Sequence, residues 1–183
     1  MQRWGVMLAA LSAAWLAACS PALNWREVRL GAGAQGNDVL ALFPCRPERA
    51  TRRLLLDGVP ADFTLLVCSA DGMHFSLGGA DIGDPQRVAA SLTWLQAQMA
   101  GHLVAQPQQL AAFTPRGACS ADGAVRFALR GQRPDAAPGA APLEQRAAVF
   151  ARGSRVYQAV VMAERGAFQA HAADQFLAAI ECP

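Results

Sequence analysis

The side chains of this chain that could do chemistry are few: five cysteines (Cys19, Cys45, Cys68, Cys119 and Cys182), three histidines (His74, His102 and His171) and fourteen carboxylates. Thiolates hold zinc when two lie a few residues apart, and they do redox work as a Cys-x-x-Cys pair. No two cysteines here are that close, so neither a zinc site nor a dithiol enzyme follows. His171 and Asp174 stand three apart in a stretch of helical spacing and can touch. That suits a metal or acid–base pair, and equally a solvent-exposed one. His74 falls on the polar side of an alternating segment. His102 falls near a helix C-terminus, where a cation is mildly favoured. Asp81 and Asp84 flank the start of that helix, and capping accounts for Asp84. No Gly-x-Ser-x-Gly, phosphate loop, dinucleotide fingerprint or His-Glu-x-x-His occurs. No catalytic residue, metal ligand or cofactor is assigned, no motif marks a ligand-binding residue, and the expectation is a non-enzymatic protein.

Charge narrows the partners. All sixteen basic residues are arginine, against fourteen acidic ones, for a formal charge of +2. Nucleic acid calls for a concentrated basic face, which this balance does not supply. The densest cluster is Arg46, Arg49, Arg52 and Arg53, interrupted by Glu48. It reads as a solvated loop, or as a patch for lipid headgroups or an acidic partner.

The beginning of the chain carries an address. Arg3 precedes an apolar run from Trp4 to Ala18, shorter than the roughly 20 residues a spanning helix needs. A short apolar core behind a basic residue, ending in small residues, is the signal-peptide pattern. Here it runs directly into Leu16-Ala17-Ala18-Cys19. This segment resembles the bacterial lipobox. The resemblance implies that residues 1–18 are removed, that Cys19 carries the lipid (palmitate among its chains) and that the protein is held to the membrane without a transmembrane helix. Two or more acyl chains suffice for stable anchoring. Ser20, where retained lipoproteins usually have aspartate, implies the outer membrane and a periplasm-facing domain.

With Cys19 assigned to lipid, Cys45, Cys68, Cys119 and Cys182 remain. An even count in an oxidising compartment predicts two disulfides. Four cysteines allow three pairings. Cys45–Cys68 with Cys119–Cys182 is preferred, because the first pair lies within what reads as one antiparallel meander and the second would tie down the C-terminal end. Loops of these lengths would contribute roughly 3–4 kcal/mol each. The pentapeptide Cys-Ser-Ala-Asp-Gly occurs at both 68–72 and 119–123, which keeps Cys68–Cys119 open as a rival.

The elements that must position these residues follow from periodicity. Residues 19–24 read as a tether and 25–183 as one domain. Trp25–Leu30 reads as an edge strand and Asp38–Phe43 as a buried one, stopped by Pro44 and Pro47. Asp57-Gly58 and Asp71-Gly72 are hairpin turns joining Arg52–Leu56, Ala61–Cys68 and Met73–Leu77. Asp84-Pro85 opens a helix whose Val88, Leu92, Leu95, Met99 and Leu103 share one face. Trp94 lies beside that stripe and either widens it or lines a binding surface. Strands follow at Leu110–Phe113 and Val125–Leu129. The Pro- and Ala-rich stretch 132–142 is a long loop. Arg146–Ala151 and Val156–Met162 form a hairpin, and a helix closes the chain over Ala167–Ile180. The sum is an α+β domain: a largely antiparallel sheet covered on one face by two helices.

That element order, with Phe43-Pro44-Cys45-Arg46-Pro47 after a strand, resembles the PsbP-like fold and small proteobacterial lipoproteins with the same pentapeptide. The resemblance implies an accessory or assembly factor that binds an envelope partner. Two further classes stand beside it: a carrier of an apolar ligand between sheet and first helix, favoured by a large apolar cavity and opposed by a filled core, and a small enzyme with an unfamiliar site.

Overall fold

The computed structural model describes residues 23–31 and 39–183. The signal segment, the lipobox and Cys19 lie outside the described residues. In chain order the elements are β1 (Arg26–Leu30), β2 (Val39–Phe43), β3 (Glu48–Leu56), β4 (Val59–Ala70), β5 (Met73–Asp81), α1 (Val88–His102), β6 (Gln108–Ala112), β7 (Arg116–Gly117), β8 (Ser120–Gly131), β9 (Leu143–Arg152), β10 (Arg155–Glu164), α2 (Ala170–Ala178) and β11 (Glu181–Cys182).

Seven strands form one antiparallel sheet in the order β3-β4-β5-β10-β9-β8-β6. Its hairpins turn where Asp-Gly stands: Asp57 and Gly58, and Asp71 and Gly72, all have positive φ, which the twist of two-residue hairpins requires. A second sheet, β1-β2-β11-β7, packs against it. This second sheet is not foreshadowed by the sequence pattern. Two of its strands are only two residues long, too short to show a period.

The two helices do not share a face. Along β9, Ala147, Val149 and Ala151 point one way and Ala148 and Phe150 the other, as strand alternation requires. The first set meets Leu92, Leu95 and Met99 of α1. The second set meets Phe176 and Leu177 of α2, with Phe43 and Phe75. The expectation of both helices over one face is therefore corrected: α1 covers one face, and α2 with the four-stranded sheet covers the other. The cause is legible in β9 and β10, which are apolar at both parities and so must be buried twice. Phe176 sits edge-on between Phe43 (5.1 Å) and Phe75 (5.6 Å) and anchors the second core.

Both expected disulfide pairs are present, Cys45–Cys68 with Cα atoms 6.0 Å apart and Cys119–Cys182 with Cα atoms 5.5 Å apart. The rival Cys68–Cys119 does not form. The first bond closes the open end of the β3–β4 hairpin, just beyond the Glu48–Val67 pair. Pro44 and Pro47 divert the chain, so β2 pairs with β1 and β11 while β4 belongs to the large sheet. Cys182 in β11 is likewise bonded to Cys119, next to the start of β8. Cys45 and Cys119 each stand in a link that runs from the small sheet to the large one, and their bonds fix those links to β4 and to β11.

Candidate functional site

Asp84 accepts a hydrogen bond from the Gln86 amide at 2.9 Å. It caps a single 3-10 turn, Pro85–Arg87, that leads into α1. The helix packs on β8, β9 and β10. Its apolar side closes over the strand ends that carry Ala80, Ala151 and Val156. Beyond His102 the helix stops, and among the described residues no helix covers the other end of the same sheet face.

Three cross-strand rungs lie there. Gln145, Met162 and His74 are paired across β9, β10 and β5. Val160, Ser76 and Val67 are paired across β10, β5 and β4, and Gln158, Gly78 and Leu65 across the same three strands. The last turn of α1 forms one wall with Gln98, Met99, His102 and Leu103. Arg133, Pro134 and Asp135, from the 132–142 loop, form another. Together they enclose an open groove of about 910 Å³. A neighbouring depression of about 590 Å³ continues it past His74, Arg133, Asp135 and Met162 towards Ala167. Gly131 sets the wall in place: a Cβ there would lie 2.0 Å from the Leu103 carbonyl oxygen, so only glycine lets the end of β8 meet the end of the helix.

The groove is apolar along Leu65, Val67, Val160 and Met162, all half-buried, and carries one unusual polar group. Gln145 is 6% exposed, and its Nε2 has no hydrogen-bond partner among the described residues. A buried donor left unmade costs about 1–3 kcal/mol. Ser91 Oγ, Arg152 Nη1 and Arg155 Nε are also buried without a hydrogen-bond partner among the described residues, Arg155 Nε having only its ion-pair contact with Asp81, but none of the three lines the groove. Arg133 and Asp135 form no ion pair with another described residue. His74 Nδ1 lies 2.7 Å from Ser69 Oγ on the neighbouring strand.

The other singled-out residues do not converge on this groove. Asp174 pairs with Arg146 of β9, not with His171, which is exposed. Trp94 is half-buried against the α1 core. Asp81 accepts from Ser154 Oγ at 2.7 Å and from the Gly83 amide at 2.9 Å, and Arg155 Nε lies 3.3 Å from its Oδ2. The Ser154 hydroxyl chiefly, then the Gly83 N–H and Arg155, hold the Asp81 carboxyl below its usual range against a smaller opposing effect of burial. Tyr157, stacked on Phe150 at 5.2 Å, has its phenol pushed up mainly by burial. Both shifted groups belong to a structural network at the end of the β9–β10 hairpin. Among the described residues no three His, Cys, Asp or Glu side chains come together as a metal site, and no helix is long and apolar enough to cross a membrane.

The arginine cluster is partly a strand. β3 is exposed at every residue but Leu56, and among the described residues it pairs only with β4. Alternation splits the cluster: Arg52 shares a face with the buried Leu56, while Arg49 and Arg53 point the opposite way. Arg49 donates to the Arg29 carbonyl at 2.8 Å and Arg53 pairs with Asp62 at 3.3 Å. Leu54 (43% exposed) and Leu55 (63%) stand bare at the hairpin tip.

No protein-family model matches the chain, and comparison with curated proteins finds no significant relative. Sequence reasoning missed Gln145 and Gln158. The available signal was parity: Gln145 shares its side of β9 with the buried Ala147, Val149 and Ala151, so a polar group there stands at a core position.

Proposed function

We propose that this chain is a non-enzymatic, lipid-anchored protein of the bacterial envelope, facing the periplasm from the outer membrane, that serves as an accessory or assembly factor by binding an envelope partner. Cys19 is its lipid-bearing residue and residues 1–18 its signal. The observation that carries the binding reading is β3, a nine-residue strand at the sheet edge with almost all its side chains in water. Such an edge presents unpaired backbone groups, and its arginines keep it from pairing indiscriminately. An extended, acidic segment satisfies both features by adding a strand.

The test is affinity purification of the acylated protein from crosslinked, detergent-solubilised envelopes, beside Cys19→Ala and Arg52→Glu. The expected result is one reproducible partner, lost or weakened in Cys19→Ala and weakened in Arg52→Glu. No partner above background, or one indifferent to both variants, contradicts the reading.

A second reading, a carrier of an apolar ligand, draws support from the groove. The space directly between α1 and the sheet is filled by Leu92, Leu95 and Met99 against Phe127 and Val149, so a ligand would lie beyond the helix end and not under it. For a small enzyme there is less support, since the side chains with displaced pKa values lie outside the groove.

A further inference from the structure

We propose that the groove beyond the end of α1 binds an aliphatic amphiphile whose carbonyl or carboxylate oxygen accepts a hydrogen bond from Gln145 Nε2. This rests on the carrier reading and names its ligand class.

Three observations select the class. The first is the Gln145 amide, more than nine-tenths buried, lining the groove and without a partner. Buried donors are almost always satisfied, so an orphan in a cavity wall calls for an acceptor. The second is the floor. It is made by β4, β5, β10 and β9, all interior strands whose backbone groups are engaged on both sides. A peptide laid across them would find no backbone partners for its own N–H and C=O groups. An aliphatic chain has none to satisfy, and Leu65, Val67, Val160 and Met162 give it an apolar bed. Among the described residues no Phe, Tyr or Trp lines the groove, and its two imidazoles stand apart, His74 on the β5 floor and His102 at the end of the helix, so no broad aromatic platform is offered to a sugar or nucleobase.

The third is charge at the mouth. Arg133 and Asp135 both line the groove. Arg133 supplies a cation for an anionic or zwitterionic head, and Asp135 beside it cancels the excess positive charge that a multiply charged head would need. The floor spans four strands, about 14 Å at the ordinary inter-strand spacing, so the chain crosses the strands from the Gln145 side towards Val67.

A free fatty acid and the acyl ester of a membrane lipid share this chemistry. The full acylated chain in lipid nanodiscs, observed by carbon-13 NMR, separates them. One arm adds palmitate labelled at its carboxyl carbon. The other builds the nanodisc from phosphatidylethanolamine labelled at its acyl carbonyls. One arm is expected to show a carbonyl resonance distinct from the bilayer signal and dependent on the protein. Gln145→Met should weaken that site about tenfold, the worth of one hydrogen bond. Val160→Arg, at a partly exposed position on the groove floor, should abolish it. Signal in the first arm identifies a free acid, and signal in the second a lipid ester. No protein-dependent resonance in either arm, or one unmoved by both variants, overturns the proposal. Native mass spectrometry of the same samples separates the two levels. A bound molecule without an acyl chain, lost in Val160→Arg, overturns the amphiphile and keeps the carrier reading. No bound molecule at all overturns both.

Discussion

Replacing Gln145 by methionine should make the ligand-free protein more stable. The side chain is 6% exposed and its Nε2 meets no acceptor. The structure therefore bears a desolvation cost of about 1–3 kcal/mol with no hydrogen bond in return. Methionine keeps the unbranched shape and length, and its neighbours across the strands are Met162 and Leu129, so the substitution is close to volume-conserving. Allowing for some loss of hydration at Oε1, a net gain of about 1 kcal/mol remains. In a domain of this size that raises Tm by about 2–4 °C. The assay is thermal unfolding of delipidated protein with both disulfides intact. Saturation with the amphiphile should then close this gap or slightly reverse it, because binding about tenfold weaker costs the variant about 1.4 kcal/mol of ligand stabilisation. A lower Tm for ligand-free Gln145→Met would refute the reasoning, since it would mean the amide already has a partner.

Other consequences are separable from that one. Removing Cys45–Cys68 by the double substitution Cys45→Ala/Cys68→Ala should cost about 3 kcal/mol, and removing Cys119–Cys182, with a sequence separation of 63 against 23, about 4 kcal/mol; denaturant midpoints check both the size and the order. Gly79→Ala should destabilise by about 1–3 kcal/mol, because a Cβ there falls 2.4 Å from the Tyr157 ring; a change below a few tenths contradicts the packing described. Asp81 has its folded pKa depressed by Ser154, Gly83 and Arg155, so its stabilisation is complete above about pH 4 and is lost as the pH falls through the folded value. The gap in stability between the native chain and Asp81→Asn should accordingly close on acidification, and a gap constant from pH 7 to 2 would contradict the assignment.

Local chemistry was readable in the sequence and long-range layering was not. Asp57-Gly58, Asp71-Gly72 and the Asp84-Pro85 cap act within a few residues, so their types alone predict their geometry, and each is found as expected. The stripe Val88, Leu92, Leu95 and Met99 is buried as its spacing requires. The closing helix is shorter than the Ala167–Ile180 pattern, because the chain turns away after Ala178 so that Glu181 and Cys182 can pair with β2 and β7. Those pairings are fixed by tertiary contact and leave no period in the sequence. The same holds for the second sheet and for the division of the helices between two faces. The groove was invisible for a related reason: it exists because α1 ends before the strands beneath it do. Gln145 alone left a trace, as a polar residue at a buried parity.

Pulse labelling of cells with radioactive palmitate, followed by isolation of the native chain and of Cys19→Ala, tests the anchoring on which the envelope role depends. Label and cleavage before Cys19 in the native chain, both absent from the variant, are the predicted result. A native chain that takes up no palmitate, with processing unchanged in Cys19→Ala, would contradict the account.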